Sequence, residues 1–138
     1  MEIVGRGALA SLFLLGALNK VLGYGATLDQ MRDAGLPAVE IALPLVIALE
    51  AGGGAMVAFA RPLASAAALV LAGYTLLVNA VFHPFWNFEG ERAALELSLF
   101  FKNVSIAGGL LYVAAILRGR ADGGQPGLGP GTDPEAKG

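Results

Sequence analysis

Apolar residues are gathered into four long runs, and short polar segments separate them. The runs extend over Gly7–Gly23, Val39–Ala60, Pro62–His83 and Ala93–Leu117. A helix needs about 20 predominantly apolar residues to cross the roughly 30 Å hydrocarbon core of a bilayer. Consecutive spans must run in opposite directions. The pattern therefore predicts an all-α, polytopic membrane protein, a bundle of four antiparallel transmembrane helices in a lipid bilayer.

The segment Tyr24–Ala38, between the first two spans, has an amphipathic pattern of its own. Thr27 followed by Gln30 fits a capping box at a helix start, and Gly35 then Pro37 fit a helix end. Apolar residues alternate here with charged ones, as in helices that lie along a membrane surface. We predict a short interfacial helix.

Composition supports the membrane class and narrows the chemistry. The chain is 56% hydrophobic and 14% charged, whereas soluble domains carry about 25% charged residues. A net charge of -2 without a basic stripe argues against nucleic acid. Without cysteine there is no disulfide, thiol catalyst or protein-held iron–sulfur cluster. With one histidine we expect no metal site built from several imidazoles.

The chain divides into two parts at Leu117. We assign residues 1–117 to the transmembrane domain and 118–138 to a disordered Gly- and Pro-rich tail, because the tail has almost nothing apolar to bury. Orientation follows from the basic residues of the short loops, which favour the cytoplasm. The more basic face carries both termini, so we expect both to be cytoplasmic. The arginines on that face are Arg6, Arg61, Arg118 and Arg120.

Polar side chains interrupt every span, and in the predicted topology they fall in the same, outer half of the membrane. Ionisable side chains at such depth are costly and usually face a bundle interior or a functional site. The residues are Lys20, Glu50, Asn79, His83, Lys102 and Asn103.

Helical spacing refines this set. Thr75, Asn79 and His83 recur every four residues and so share one face of the third span. Two lysines could neutralise Glu50, and the run of glycines at 52–54 would let a neighbouring backbone approach closely. A purely structural interpretation stays open, in which Lys20 and His83 extend to the outer interface and Glu50 pairs with one lysine to hold the bundle. In it the asparagines form hydrogen bonds between helices, and Trp86 anchors the membrane surface.

Short motifs along the chain resemble the DoxX family of small four-helix membrane proteins. They are FLLGALNKVLG at 13–23, AGLP at 34–37, Leu49-Glu50 with its glycines, FHPFW at 82–86, and FKN at 101–103 followed by Gly108-Gly109. The resemblance covers roughly Arg6 to Leu117. It implies a bacterial cytoplasmic (inner) membrane protein linked to thiosulfate:quinone oxidoreduction, to quinone stress or to oxidative-stress complexes. The site residues that it marks are Lys20, Glu50, His83, Trp86, Lys102 and Asn103.

Three functions remain open at this point. The first is a redox-associated protein that binds a quinone or similar small aromatic in an outer-half pocket, with no covalent cofactor and no identified catalytic residue. The second is a non-catalytic anchor or assembly subunit for a partner oxidoreductase. The third is a small-solute or proton pathway. We also expect either a redox-enzyme partner or a homo-oligomer.

Overall fold

The computed structural model describes residues 2–60 and 62–121. It consists of helices joined by short turns, with a single 3-10 turn at Phe85–Asn87. Four of the helices are long and apolar enough to cross a membrane, which confirms the predicted fold class. The helices are α1 (Glu2–Leu22), α2 (Tyr24–Asp33), α3 (Val39–Phe59), α4 (Ala64–Phe82) and α5 (Gly90–Ala121).

The spans are arranged as two antiparallel pairs. The most extensive interfaces join α1 to α3 and α4 to α5, and a smaller α3–α4 interface links the pairs. The shared core is apolar and includes the fully buried Leu71, Leu110 and Val57. Only 22–28% of each span is buried within the bundle. Most of the apolar surface therefore faces outward, as expected for helices surrounded by lipid.

Two glycines of α3 allow the helices of this bundle to approach closely. A Cβ added at Gly54 would lie 3.3 Å from the Ala10 carbonyl oxygen, and one at Gly53 would lie 3.1 Å from Cγ of Leu71. At Gly52 nothing lies within 4 Å. The predicted close approach of a neighbouring backbone is confirmed at Gly54, which lies against α1, whereas Gly53 lies against the Leu71 side chain of α4.

One end of the bundle, which we call the hairpin end, contains the short α3–α4 connection and is tied by charged groups. The buried Arg6 donates hydrogen bonds of 3.3–3.4 Å to the Ala58 carbonyl at the end of α3. Arg6 also pairs with Glu2 at 3.0 Å, and Glu2 accepts a hydrogen bond from Arg120 of α5. These contacts hold α1, α3 and α5 together at this end.

The opposite end, the α2 end, is covered by α2. Met31 packs there on Val39 and Leu43 of α3. The predicted capping box is wrong: α2 begins at Tyr24 without a side-chain cap. Thr27 lies inside the helix, where its hydroxyl donates 3.0 Å to the Gly23 carbonyl, because the chain turns into α2 directly after α1. The helix itself is present, and its place at a membrane interface stays a prediction.

α5 continues past the predicted domain boundary at Leu117 as far as Ala121. The remainder of the predicted tail, 122–138, lies outside the described residues.

Candidate functional site

A cavity of about 680 Å³ lies at the α2 end of the bundle. All five helices contribute to its wall, which is mainly apolar and includes Phe13, Val46 and Ile106. Binding sites for small molecules usually measure about 300–1,000 Å³ and combine apolar walls with a few well-placed polar groups. The size and lining of this cavity match that description.

Glu50 forms the polar floor of the cavity together with two partners. Lys20 Nζ lies 2.9 Å from each Glu50 carboxylate oxygen, and the Tyr74 hydroxyl donates to Oε1 at 2.6 Å. The Glu50 side chain is only 6% exposed. A carboxylate can remain buried when a cation and hydrogen bonds compensate it. Three helices therefore meet at this one acidic group.

The packing of α1 explains why the Lys20 ammonium reaches Glu50. Gly16 lies one turn before Lys20, and a Cβ at that position would lie 3.1 Å from Glu50 Oε2 and 3.7 Å from Lys20 Nζ. The missing side chain leaves room for the carboxylate beside α1. Gly16 is thus part of the site although it has no functional group of its own.

The pair of Glu50 with Lys102, which sequence considerations had suggested, is not formed. Within residues 2–60 and 62–121, the ion pair of Glu50 is with Lys20. Lys102 is exposed and lines the cavity from α5. Tyr74 instead supplies the second bond to Glu50. Its helix, α4, packs directly against α3, whereas α5 packs against the other side of α4.

Two asparagines join α4 to α5 behind the cavity. Asn79 is 1% exposed, donates to the Phe100 carbonyl at 3.1 Å, and accepts a hydrogen bond from Asn103 at 3.1 Å. Asn103 also lines the cavity, whereas Asn79 is not part of its wall. Asn79 thus links the helices, and Asn103 has one side toward the cavity.

His83 occupies the wall at the α2 end and faces a carboxylate. Its Nδ1 lies 2.8 Å from Glu96 Oε2, and the His83 and Glu96 side chains are 23% and 14% exposed. A carboxylate on one ring nitrogen fixes the ring orientation and leaves the other nitrogen for a ligand or proton. The pair also connects the end of α4 to the start of α5.

Trp86 lies outside the cavity, in an aromatic cluster. It is 59% exposed and packs edge-on against Phe85 and Phe100, with ring centroids 5.1 and 6.1 Å apart. The aromatic side chains that do line the cavity are Phe13, Phe82 and Tyr74.

Five of the seven residues selected from the sequence therefore line one cavity, namely Lys20, Glu50, His83, Lys102 and Asn103. Sequence reasoning missed Tyr74 and Glu96. Tyr74 precedes the stripe of Thr75, Asn79 and His83 by one residue and so points elsewhere on α4. Glu96 could have been noticed as a carboxylate in the first turns of the fourth span, opposite His83.

Comparison with known proteins gives consistent results. The DoxX family model matches residues 2–84. Inner membrane protein YqjF of Escherichia coli K12 is 39% identical over 113 residues, which are 81% of this chain and 80% of that protein. Inner membrane protein YphA of the same organism is 28% identical over 115 residues, covering 81% and 79% of the two chains. No solved structure matches the chain significantly. This chain, with its four candidate membrane spans around a polar-floored cavity, belongs to the DoxX family.

Proposed function

We propose that this protein binds a quinone or a similar small aromatic in the cavity and acts in redox chemistry with a partner enzyme. The observation that carries the proposal is the combination of an apolar cavity of about 680 Å³ with hydrogen-bonding groups in its lining, namely those of Lys20 and His83. A quinone has the matching form: a flat apolar ring with a carbonyl oxygen on each of two opposite sides.

The floor supplies donors to one carbonyl. An ammonium group has three N–H donors, and Lys20 uses its donors on the two Glu50 oxygens at 2.9 Å, so one remains for a ligand. Lys20 is 25% exposed as a side chain and lines the cavity. A carbonyl placed there gains negative charge on reduction, and a nearby cation at low dielectric stabilises that charge.

The lining of the cavity also supplies a group that can transfer a proton. His83 lines the cavity while Glu96 holds its Nδ1 at 2.8 Å. Reduction of a quinone to a quinol adds two electrons and two protons. His83 is suited to pass one proton, since an imidazole ring has two nitrogens that can each hold or accept a proton.

The electrons require another protein in this proposal. The chain has no cysteine for a thiol or iron–sulfur centre, so we assign electron delivery to a partner oxidoreductase. The relatives YqjF and YphA are described as inner membrane proteins, which supports a place for this chain in a bacterial inner membrane. The excess of arginines at the hairpin end supports a cytoplasmic location for both termini.

Mild-detergent purification followed by mass spectrometry of the retained small molecules tests the proposal. We expect co-purified quinone with the wild-type protein and a clear loss in Tyr74→Phe, which disturbs the floor without changing its shape. The matched control is Tyr112→Phe, because Tyr112 is 70% exposed on α5 away from the cavity. Equal quinone content in both variants, or none in the wild type, would contradict the proposal. A stoichiometric partner protein without quinone would favour the anchor function instead.

A further inference from the structure

The lining of the cavity reaches the surface through exposed residues of α1 and α5, Leu12 and Lys102. These two helices touch near the hairpin end, where a Cβ at Gly109 would lie 3.3 Å from Leu9. Lys102 lies seven residues before Gly109, hence two turns closer to the α2 end on nearly the same side of α5. There it is exposed and lines the cavity, and Leu12 of α1 lines it as well with 49% exposure. This exposed part of the lining lies within the predicted spans, so it faces the bilayer.

The lining of the cavity contains two lysines and a single carboxylate. Glu50 neutralises Lys20 through two contacts of 2.9 Å. His83 faces a carboxylate of its own, Glu96, which is outside the lining. Across residues 2–60 and 62–121, no carboxylate oxygen is paired with the Lys102 ammonium within 4.0 Å. The exposed part of the lining thus carries a positive charge that the surrounding side chains do not balance.

An unbalanced ammonium at hydrocarbon depth is unfavourable, and an anion at that place would relieve the cost. We infer that the cavity takes its ligand as an anion: a lipid-soluble acid that enters from the bilayer between α1 and α5, with its oxyanion against Lys102. The apolar walls would hold the rest of the molecule. Acidic hydroxyquinones have this chemistry, since their enolate is attached to an apolar ring. The inference rests on the proposed function and specifies the ligand class of the same site.

Two naphthoquinones of similar size test the charge preference. 2-Hydroxy-1,4-naphthoquinone is ionised at pH 7, whereas 2-methyl-1,4-naphthoquinone is neutral. Binding of each to the protein in lipid nanodiscs would be measured by calorimetry for the wild type and for Lys102→Gln, Lys102→Arg and Arg92→Gln. Arg92 is an exposed cation of α5 outside the cavity lining, so its removal controls for general attraction of anions to the surface.

We expect the wild type to bind the ionised compound at least about tenfold more tightly, as one charge-assisted hydrogen bond would provide. Lys102→Gln should lose this preference while keeping its affinity for the neutral compound. Lys102→Arg and Arg92→Gln should both keep the preference. An unchanged preference in Lys102→Gln, or equal affinities in the wild type, would overturn the inference and leave the proposed function intact. Binding of neither compound would overturn both.

Dodecanoate distinguishes an acidic quinone from another lipid-soluble acid. Weak binding of this aliphatic carboxylate would support the combined assignment. Binding as tight as that of 2-hydroxy-1,4-naphthoquinone would support the preference for anions and contradict the assignment of a quinone.

Discussion

Lys20→Met should destabilise the protein more than Glu50→Gln, although the two residues form one ion pair. The Glu50 side chain is 6% exposed and that of Lys20 is 25% exposed. Removing Lys20 leaves a buried carboxylate with the Tyr74 hydroxyl as its remaining hydrogen-bond partner. Breaking a buried pair from one side costs roughly 3–5 kcal/mol.

Glu50→Gln leaves Lys20 two residues from the end of α1, where a long side chain can turn toward the membrane surface. The amide oxygen of glutamine can still accept the Tyr74 hydrogen bond. We therefore expect a loss of about 1–2 kcal/mol for Glu50→Gln and about 3–5 kcal/mol for Lys20→Met. The double variant should lose less than the sum, since its two changes remove both charges.

Unfolding by SDS in mixed micelles, followed by far-UV circular dichroism, measures these losses. The control pair is Arg32 and Glu40, whose side chains are 49% and 63% exposed. Arg32→Met and Glu40→Gln should change the free energy of unfolding little, singly or together. Strictly additive losses at Lys20 and Glu50, or a larger loss for Glu50→Gln than for Lys20→Met, would refute the reasoning.

Three further predictions concern packing and topology. Gly54→Ala should destabilise the bundle by about 1–3 kcal/mol in the same SDS assay, because its Cβ would meet the Ala10 carbonyl oxygen at 3.3 Å. The control Gly52→Ala, with nothing within 4 Å of the added Cβ, should not destabilise the bundle. Equal losses for the two variants would contradict this packing. Asn79→Ala should cost about 1 kcal/mol, the scale of hydrogen bonds between membrane helices, and no loss in that assay would show that its bonds to α5 contribute nothing. A reporter enzyme fused after Gly90 should report a location outside the cytoplasm. A cytoplasmic location would contradict the predicted topology.

The spans could be predicted from the sequence because length and hydropathy are sufficient to identify a membrane-crossing helix. The observed bounds differ from the predicted runs by a few residues at most ends, as at α4, which is helical from Ala64 to Phe82. α2 starts four residues before the start that the capping box predicts: its N-cap is Gly23, not Thr27, and the Gly23 carbonyl accepts the Thr27 N–H without any side-chain cap.

The partners of each polar group were much harder to predict. Sequence spacing shows which residues share a face of one helix, but the rotation of one helix against another depends on packing. Gly54 against Ala10 and Gly16 beside Glu50 determine that rotation for α1. They direct Lys20, and not Lys102, to the carboxylate. Tyr74 was overlooked for the same reason, since its role depends on how α4 is rotated toward α3.

Photoaffinity labelling tests the central claim, that the cavity is the ligand site, most directly. A quinone carrying a diazirine would be irradiated with the protein in nanodiscs, and the labelled residues mapped by mass spectrometry. We predict labels on cavity-lining residues such as Leu12, Leu77 and Ile106, and their loss when unlabelled quinone is added in excess. Two results would contradict the claim. One is labelling that excess quinone does not reduce. The other is labelling concentrated on exposed residues outside the cavity, such as Tyr112 and Trp86.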